Sequence, residues 1–211
     1  MTVLSVMVTN NKGGCGKSTI ASNLATAFAA GGMRTALAEV DRQKSVLQWL
    51  DRRPDSARPI IGLDWRKAIT DVPAGVQRLV IDGQAGMRLA QVDDLLELAD
   101  VVVVPLLPSV FDEGSTARFL ERLAELKPIR KQRKGVLLVA NRLRARSKAL
   151  QRLESFVTEL GFPLAARLAD RALYAELALQ GRGVFDTGSR ASAAVLAEWA
   201  PLLARIEASA D

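Results

Sequence analysis

Along the chain, short runs of consecutive apolar residues alternate with longer stretches in which apolar residues recur at helical spacing. The runs Val3–Val8, Thr35–Val40, Leu79–Ile81, Val101–Pro105 and Val136–Ala140 read as strands. Their hydrophobicity is continuous rather than alternating, which predicts burial on both faces, as in a parallel sheet. Helices are expected over Thr19–Ala30, Ser45–Arg53, Leu89–Ala99, Glu113–Leu126, Ser147–Leu160, Arg171–Leu179 and Ala191–Ile206. In the first of these, Ile20, Leu24 and Phe28 recur every four residues, and Gly31-Gly32 supplies a stop. The repeated β-α order predicts an α/β fold: an open, doubly wound, mostly parallel sheet with helices on both faces and ligands at the carboxyl ends of its strands. No linker, low-complexity tract or internal repeat interrupts the pattern, so residues 1–211 are expected to form a single domain.

Composition narrows the chemistry. The chain is 49% hydrophobic, enough for a substantial core, and contains no histidine and a single cysteine, Cys15. Ser-His-Asp and Cys-His nucleophile systems, histidine-ligated metals, a disulfide framework and a multi-cysteine cluster are therefore excluded within one chain. Any reaction must run on Lys, Asp, Ser/Thr, backbone amides and a hard cation such as Mg²⁺. The longest apolar run, "VVVVPLL" from Val101, is broken by Pro105 and falls short of the ~18 residues that span a bilayer. The amino terminus lacks the charged start and apolar core of a signal peptide, so a cytoplasmic location is expected, without stable membrane insertion. The net charge of +6 and pI near 9.9 suit a polyanionic partner as well as a merely solvated basic surface.

The stretch "NNKGGCGKST", Asn10–Thr19, joins the first strand to the first helix. Glycines there let backbone N–H groups turn inward and cradle phosphate oxygens, and the helix amino terminus adds its dipole. Lys17 is placed to reach β- and γ-phosphates, the Ser18 hydroxyl to ligate Mg²⁺, and Thr19 to donate to the α-phosphate. Gly13, Gly14, Cys15 and Gly16 complete the cradle. A dinucleotide fingerprint fits worse, because its third glycine position is occupied by Thr19. Cys15, near a helix amino terminus, reads either as a thiol of lowered pKa or as a small loop residue. Further on, Asp82 ends an apolar strand, where a carboxylate can hold Mg²⁺ through a water.

The loop departs from the ordinary phosphate-loop pattern in a second lysine. K-G-G-x-G-K-[ST] is complete from Lys12 to Ser18 and resembles the deviant Walker A motif of the ParA/MinD family of ATPases. The resemblance implies a phosphate-loop NTPase fold of that type and an ATP-bound homodimer, in which Lys12 touches the phosphates held by the other subunit. "ALAEVDRQKSVLQWL" looks like the family's second strand and D-x-D-P-Q loop. It implies that Asp41 positions the attacking water and that Gln43 is the loop glutamine, while Glu39 and Arg42 depart from the family's aspartate and proline. "LVIDGQAG" is similar to the Walker B strand and turn, with Gln84 where proline is usual, and "VVVVPLLPSVFD" to the next strand and its P-x-x-P-S-x-x-D turn. "LLVANRLRARS" resembles the strand ending in Asn-Arg, which implies that Asn141 reads the adenine edge. Lys12, Lys17 and Asp41 would then carry the catalysis of Mg²⁺-dependent ATP hydrolysis, slow until a partner or adaptor protein stimulates it.

Among the uses of such a switch, the resemblance is nearest to the short ParA-type ATPases without an amino-terminal helix-turn-helix. These imply nonspecific binding to double-stranded DNA, a nucleoid-associated location and segregation or positioning of a plasmid, chromosome or large protein cargo. A MinD-like membrane-associated ATPase is the alternative, though the terminal segment "VLAEWAPLLARIEASAD" carries Pro201 and acids and is expected to pack on the domain. An ATP-dependent small-molecule kinase or ligase is a further alternative, for which no acceptor pocket is declared. Lys127 to Arg152 holds ten basic residues and no acid. The strand within it separates them by roughly 20 Å at ~3.3 Å per residue, leaving Arg142, Arg144 and Arg146 at the nucleotide end. Family resemblance adds Arg167, Arg171, Arg182 and Arg190 as DNA-binding candidates. With few aromatics interleaved, phosphate contacts rather than base stacking are expected.

Overall fold

The structure, a computed structural model, describes residues 3–131, 133–144, 148–187 and 190–209, with the side chains of residues 110 and 190–192 outside the description. Its first strand, β1 (Leu4–Val8), is buried at every position and lies at the centre of the sheet. A glycine-rich loop leads into α1 (Lys17–Ala30), followed by β2 (Thr35–Glu39), α2 (Ser45–Asp51), β3 (Ile60–Asp64) and β4 (Arg78–Asp82). Next come α3 (Leu89–Leu98), β5 (Val101–Leu106), α4 (Val110–Glu125), the single turn α5 (Lys127–Arg130) and β6 (Gly135–Leu143). The chain closes with α6 (Lys148–Leu160), β7 (Leu164–Ala169), α7 (Ala172–Leu179), a 3-10 turn (Val184–Asp186) and α8 (Arg190–Glu207). Among the described residues seven strands form one sheet in the order β3-β2-β4-β1-β5-β6-β7, and every pairing is parallel.

Alternate side chains of β1 enter opposite layers. Val6 and Val8 join one core with α1, α2 and α8, while Met7 joins a second core with α3, α4 and α6. Both faces of the sheet are thus covered, which is why the strands read as unbroken apolar runs. Pro105 lies inside β5 rather than ending it, paired with Val139. Two strands and two short helical turns, α5 and the 3-10 turn, go beyond the sequence pattern. β3 is a half-exposed edge strand, β7 ("LAARLA") has the composition of a helix, and α5 is too short to show a period. Arg146 lies outside the described residues, as do Ser147 and the side chain of Arg190.

The terminal helix packs on the domain. Val195, Trp199, Leu202 and Ile206 sit one turn apart on α8 and are buried in the first core, despite Pro201 within the helix. The Trp199 indole N–H donates to the Tyr174 hydroxyl at 3.0 Å, and Arg78 holds the far end of α8 through Glu207. The segment Gly181–Asp186 clips this layer together: Asp186 takes Arg53 in a buried bidentate pair, and Val184 N–H donates to Asn23. At Gly181, φ is +64° and any Cβ would meet the Arg52–Arg53 backbone at 2.4 Å, so only glycine serves there. No helix among the described residues is long and apolar enough to cross a membrane.

Because Trp199 fills the centre of one core, Trp199→Ala is expected to lower the unfolding free energy by about 3–5 kcal/mol, read from urea denaturation.

Candidate functional site

The carboxyl ends of β1, β4 and β2 are in register, with Val8 opposite Asp82 and Asp82 opposite Glu39. Into this edge opens the loop from Thr9 to Gly16. Gly14 and Gly16 have φ of +75° and +96°, which lets successive N–H groups face inward. Gly16 also makes room for a neighbour: a Cβ there would lie 2.2 Å from the Asn141 side-chain nitrogen. Asn141 is buried and donates its amide to the Cys15 carbonyl at 2.8 Å, so the end of β6 braces the loop directly. Asn10 ties the loop to β5 by donating to the Pro105 carbonyl at 2.8 Å.

The two lysines take different positions. Lys17 is buried and turned into the loop, its Nζ donating to the Lys12 carbonyl at 2.9 Å. The Lys12 side chain is 44% exposed and reaches out to Asp112 at the start of α4, Nζ to Oδ1 2.9 Å. Asp112 is a partner that the sequence reading did not single out, although its P-x-x-P-S-x-x-D turn was visible. Cys15 is buried, its Sγ donating to the Lys12 carbonyl, and burial raises its thiol pKa. Of the two readings of Cys15, the structure favours the small loop residue.

Two acids lie behind the loop and differ in how they are satisfied. Glu39, fully buried, accepts N–H groups from Asp41 at 3.0 Å and from Val46 at 2.8 Å. It thereby holds both ends of the turn carrying Asp41 and the start of α2. Burial raises its pKa against those two bonds. Asp41 itself, half-buried, accepts from the Gln43 N–H at 3.0 Å. Asp82 is 1% exposed, and neither carboxylate oxygen has a hydrogen-bond partner. Desolvation pushes its pKa to about 8, with Glu39 adding to the rise. The Ser18 hydroxyl and Lys17 oppose it, the hydroxyl lying near without completing a bond. The Thr9 hydroxyl beside β1 is also unpaired. Orphaned carboxylate oxygens with a hydroxyl beside them suit a hard divalent cation, so Asp82 and Ser18 fit the role of Mg²⁺ holders. Among the described residues no cluster of three or more acidic or sulfur ligands exists.

A cleft of about 300 Å³ runs from the loop toward α7. Thr19, Asn141, Arg142, Asp170, Arg171 and Tyr174 line it. Asn141 therefore faces this cleft as well as bracing the loop, and Asp170 and Tyr174, to which the sequence assigned no role, join it. The remaining basic candidates are dispersed. Arg167 pairs with Glu154 at 2.7 Å, Arg171 with Glu198 at 2.5 Å, and Arg182 donates to the Ser56 hydroxyl at 2.9 Å. Arg142, at φ +53°, and Arg144 are exposed, and neither has an ion-pair partner among the described residues.

A central parallel strand, a glycine loop at its carboxyl end, a buried lysine at the helix start and an acid on the adjacent strand define a phosphate-loop nucleotide-binding protein. The family model described as the CobQ/CobB/MinD/ParA nucleotide binding domain matches residues 6–184, and the chain belongs to that family. It is 26% identical over 197 residues to the maintenance of carboxysome distribution protein A of Halothiobacillus neapolitanus, covering 90% of each chain. Among solved structures it resembles a plasmid partition protein from Borrelia burgdorferi bound to AMPPNP, with TM-score 0.73 and 13% identity over 97% of this chain and 100% of that one. It also resembles MinD of Pyrococcus horikoshii complexed with Mg-ADP, with TM-score 0.71 and 18% identity over 98% of both.

Gly16→Ala is expected to abolish nucleotide binding, measured by titration with a fluorescent ATP analogue, because the Cβ collides with Asn141 at a left-handed φ. A second expectation follows from Asp82, whose folded pKa of about 8 exceeds its unfolded value of roughly 4. Between those values the folded chain holds the extra proton, so the ligand-free protein should lose stability as pH rises from roughly 4 to 8. Asp82→Asn should flatten that part of the pH–Tm curve, read by calorimetry.

Proposed function

We propose that the protein is a Mg²⁺-dependent ATPase that works as a dimerising switch, binding DNA without sequence preference while it segregates or positions a large cargo. The observation that carries this reading is the division of labour between the loop lysines. Lys17 turns in toward the phosphate cradle, and Lys12 points out of it, available to a second copy of the chain. In the nucleotide-bound state Lys17 leaves the Lys12 carbonyl for the β- and γ-phosphates. Ser18 and Asp82 would hold the cation, which when bound would supply charge neutralisation for the phosphates. Asp41 orients the attacking water, and the Glu39 carboxylate keeps the Asp41 turn in place. Lys12 must leave Asp112 to reach the partner's nucleotide, so that pair opposes dimerisation until ATP is present. A stimulating partner protein then triggers hydrolysis and release.

The relative named for carboxysome distribution and the plasmid partition neighbour support positioning as the task. A membrane-bound mode is less well supported, because the apolar face of α8 is consumed by the core. For DNA, ion pairing of Arg167 and Arg171 leaves Arg142 and Arg144 as the better candidates, with phosphate contacts dominating.

Lys17→Ala should abolish ATP binding; Lys12→Ala should spare it and weaken ATP-dependent dimers and hydrolysis; Asp41→Ala should bind ATP and persist as a dimer. Nucleotide titration, sedimentation and phosphate release read all three, and a Lys12→Ala protein that dimerises and hydrolyses like the parent would remove the cross-subunit role. Asp112→Asn should tighten ATP-dependent self-association a few-fold, since a partly exposed pair is worth about 0.2–1 kcal/mol. Duplex DNA binding should require ATP, fall steeply with salt and weaken on charge reversal at Arg142 and Arg144, measured by filter binding.

A further inference from the structure

A groove of about 260 Å³ lies between α3 and α4, away from the nucleotide cleft. Met87, Leu89, Val92 and Phe119 give it an apolar floor. Arg118 and Arg122 line it from α4, the only charged groups among the described residues that do. Neither arginine has an ion-pair partner among the described residues, in contrast to Arg152, Arg167 and Arg171. The stripe continues toward the amino end of α4. Phe111, Ser115, Arg118 and Arg122 are spaced as one helical face, and Phe111 is 92% exposed, the most exposed large apolar side chain described.

We propose that this groove docks an acidic amphipathic helix of the partner protein that stimulates hydrolysis. An apolar trough edged by unpaired guanidiniums matches leucine-like side chains flanked by carboxylates, which arginine takes in bidentate fashion. Duplex DNA offers phosphates but no apolar face for the floor. The place also suits a trigger. Asn11 of the phosphate loop lines the groove, and its carbonyl accepts the Gly86 N–H at 3.1 Å from the turn after Asp82. An occupant therefore touches the loop that bears the two lysines and the turn that follows the cation-holding acid. This assignment rests on the switch reading of the site and names the partner's chemistry.

The test uses the full chain and a labelled synthetic helix of roughly 15 residues, with leucines on one face and glutamates flanking them, beside a twin carrying lysines for glutamates. Fluorescence anisotropy is read with and without Mg-ATP, ATP binding and melting temperature being followed in parallel. The glutamate peptide is expected to bind the parent at least ~10-fold tighter than its twin, and R118E/R122E to reverse that order with ATP binding and Tm unchanged. Phe111→Ser should weaken the glutamate peptide several-fold. Should the charge-reversed protein fail to fold, R118Q/R122Q must lose the preference instead. Equal binding of the two peptides, no effect of the arginine variants, or displacement of the peptide by duplex DNA would overturn the assignment. So would loss of ATP-dependent self-association in R118E/R122E, which would give the groove to a second copy. If the parent neither hydrolyses ATP nor dimerises while the peptide preference stands, the switch reading fails and the groove survives.

Discussion

The site depends on β1 being hydrogen-bonded along both edges at the middle of a sheet whose two faces are sealed. The parallel register of β1 with β4, and of β4 with β2, brings the ends of three strands to one level. Whatever follows those strands in sequence is forced together there, and side chains at the last positions are cut off from water. Parallel strands also leave their helices starting at the same edge, so the amino end of α1 faces the loop with its unpaired N–H groups. The bracing of Cys15 by Asn141 and the anchoring of Asn10 on Pro105 then hold the loop in place before any ligand arrives.

Burial treats the two acids at that edge differently, and the difference separates structure from chemistry. Glu39 has its oxygens engaged by the backbone of the Asp41 turn and of α2, so its burial is offset by bonds that order the turn. One carboxylate oxygen takes each N–H, Oε1 that of Asp41 and Oε2 that of Val46. Asp82 has no such offset, and an unsatisfied buried carboxylate is a standing penalty of the free chain. A bound cation with oxygen preference would remove that penalty, and its binding free energy would then include the relief.

The positive charge of the chain is distributed by the same logic of local pairing. Several arginines that look free in sequence are bound to glutamates contributed by other elements, such as Glu154 on α6 for Arg167 and Glu198 on α8 for Arg171. Such pairs contribute little to stability but lower the local field, since each removes a unit of charge from its surroundings. Among the described residues without a salt bridge are Arg142 and Arg144 at the end of β6 and Arg118 and Arg122 along the α3–α4 groove.

The α/β order, the phosphate loop, Lys17 and the acid ending β4 were legible in the chain because each is written in adjacent residues: a run, a spacing, a dipeptide. The doubly wound sheet followed from unbroken apolar strands, which only two-sided burial explains. β7 was not legible, since "LAARLA" has helical composition and becomes a strand through pairing with β6. The same holds for β3, half-exposed at the sheet edge. The Lys12–Asp112 pair joins separate elements, and the hydrogen bond from Asn141 to Cys15 and the salt bridges of Arg53, Arg152, Arg171 and Arg167 join residues 126, 133, 39, 27 and 13 positions apart. Local sequence therefore determined which groups could bind phosphate and cation, because that chemistry is carried by a single loop and strand end. Which charges are free, which acid is orphaned and which apolar faces stay open was decided by tertiary packing, because pairing and desolvation depend on neighbours that the chain order does not name.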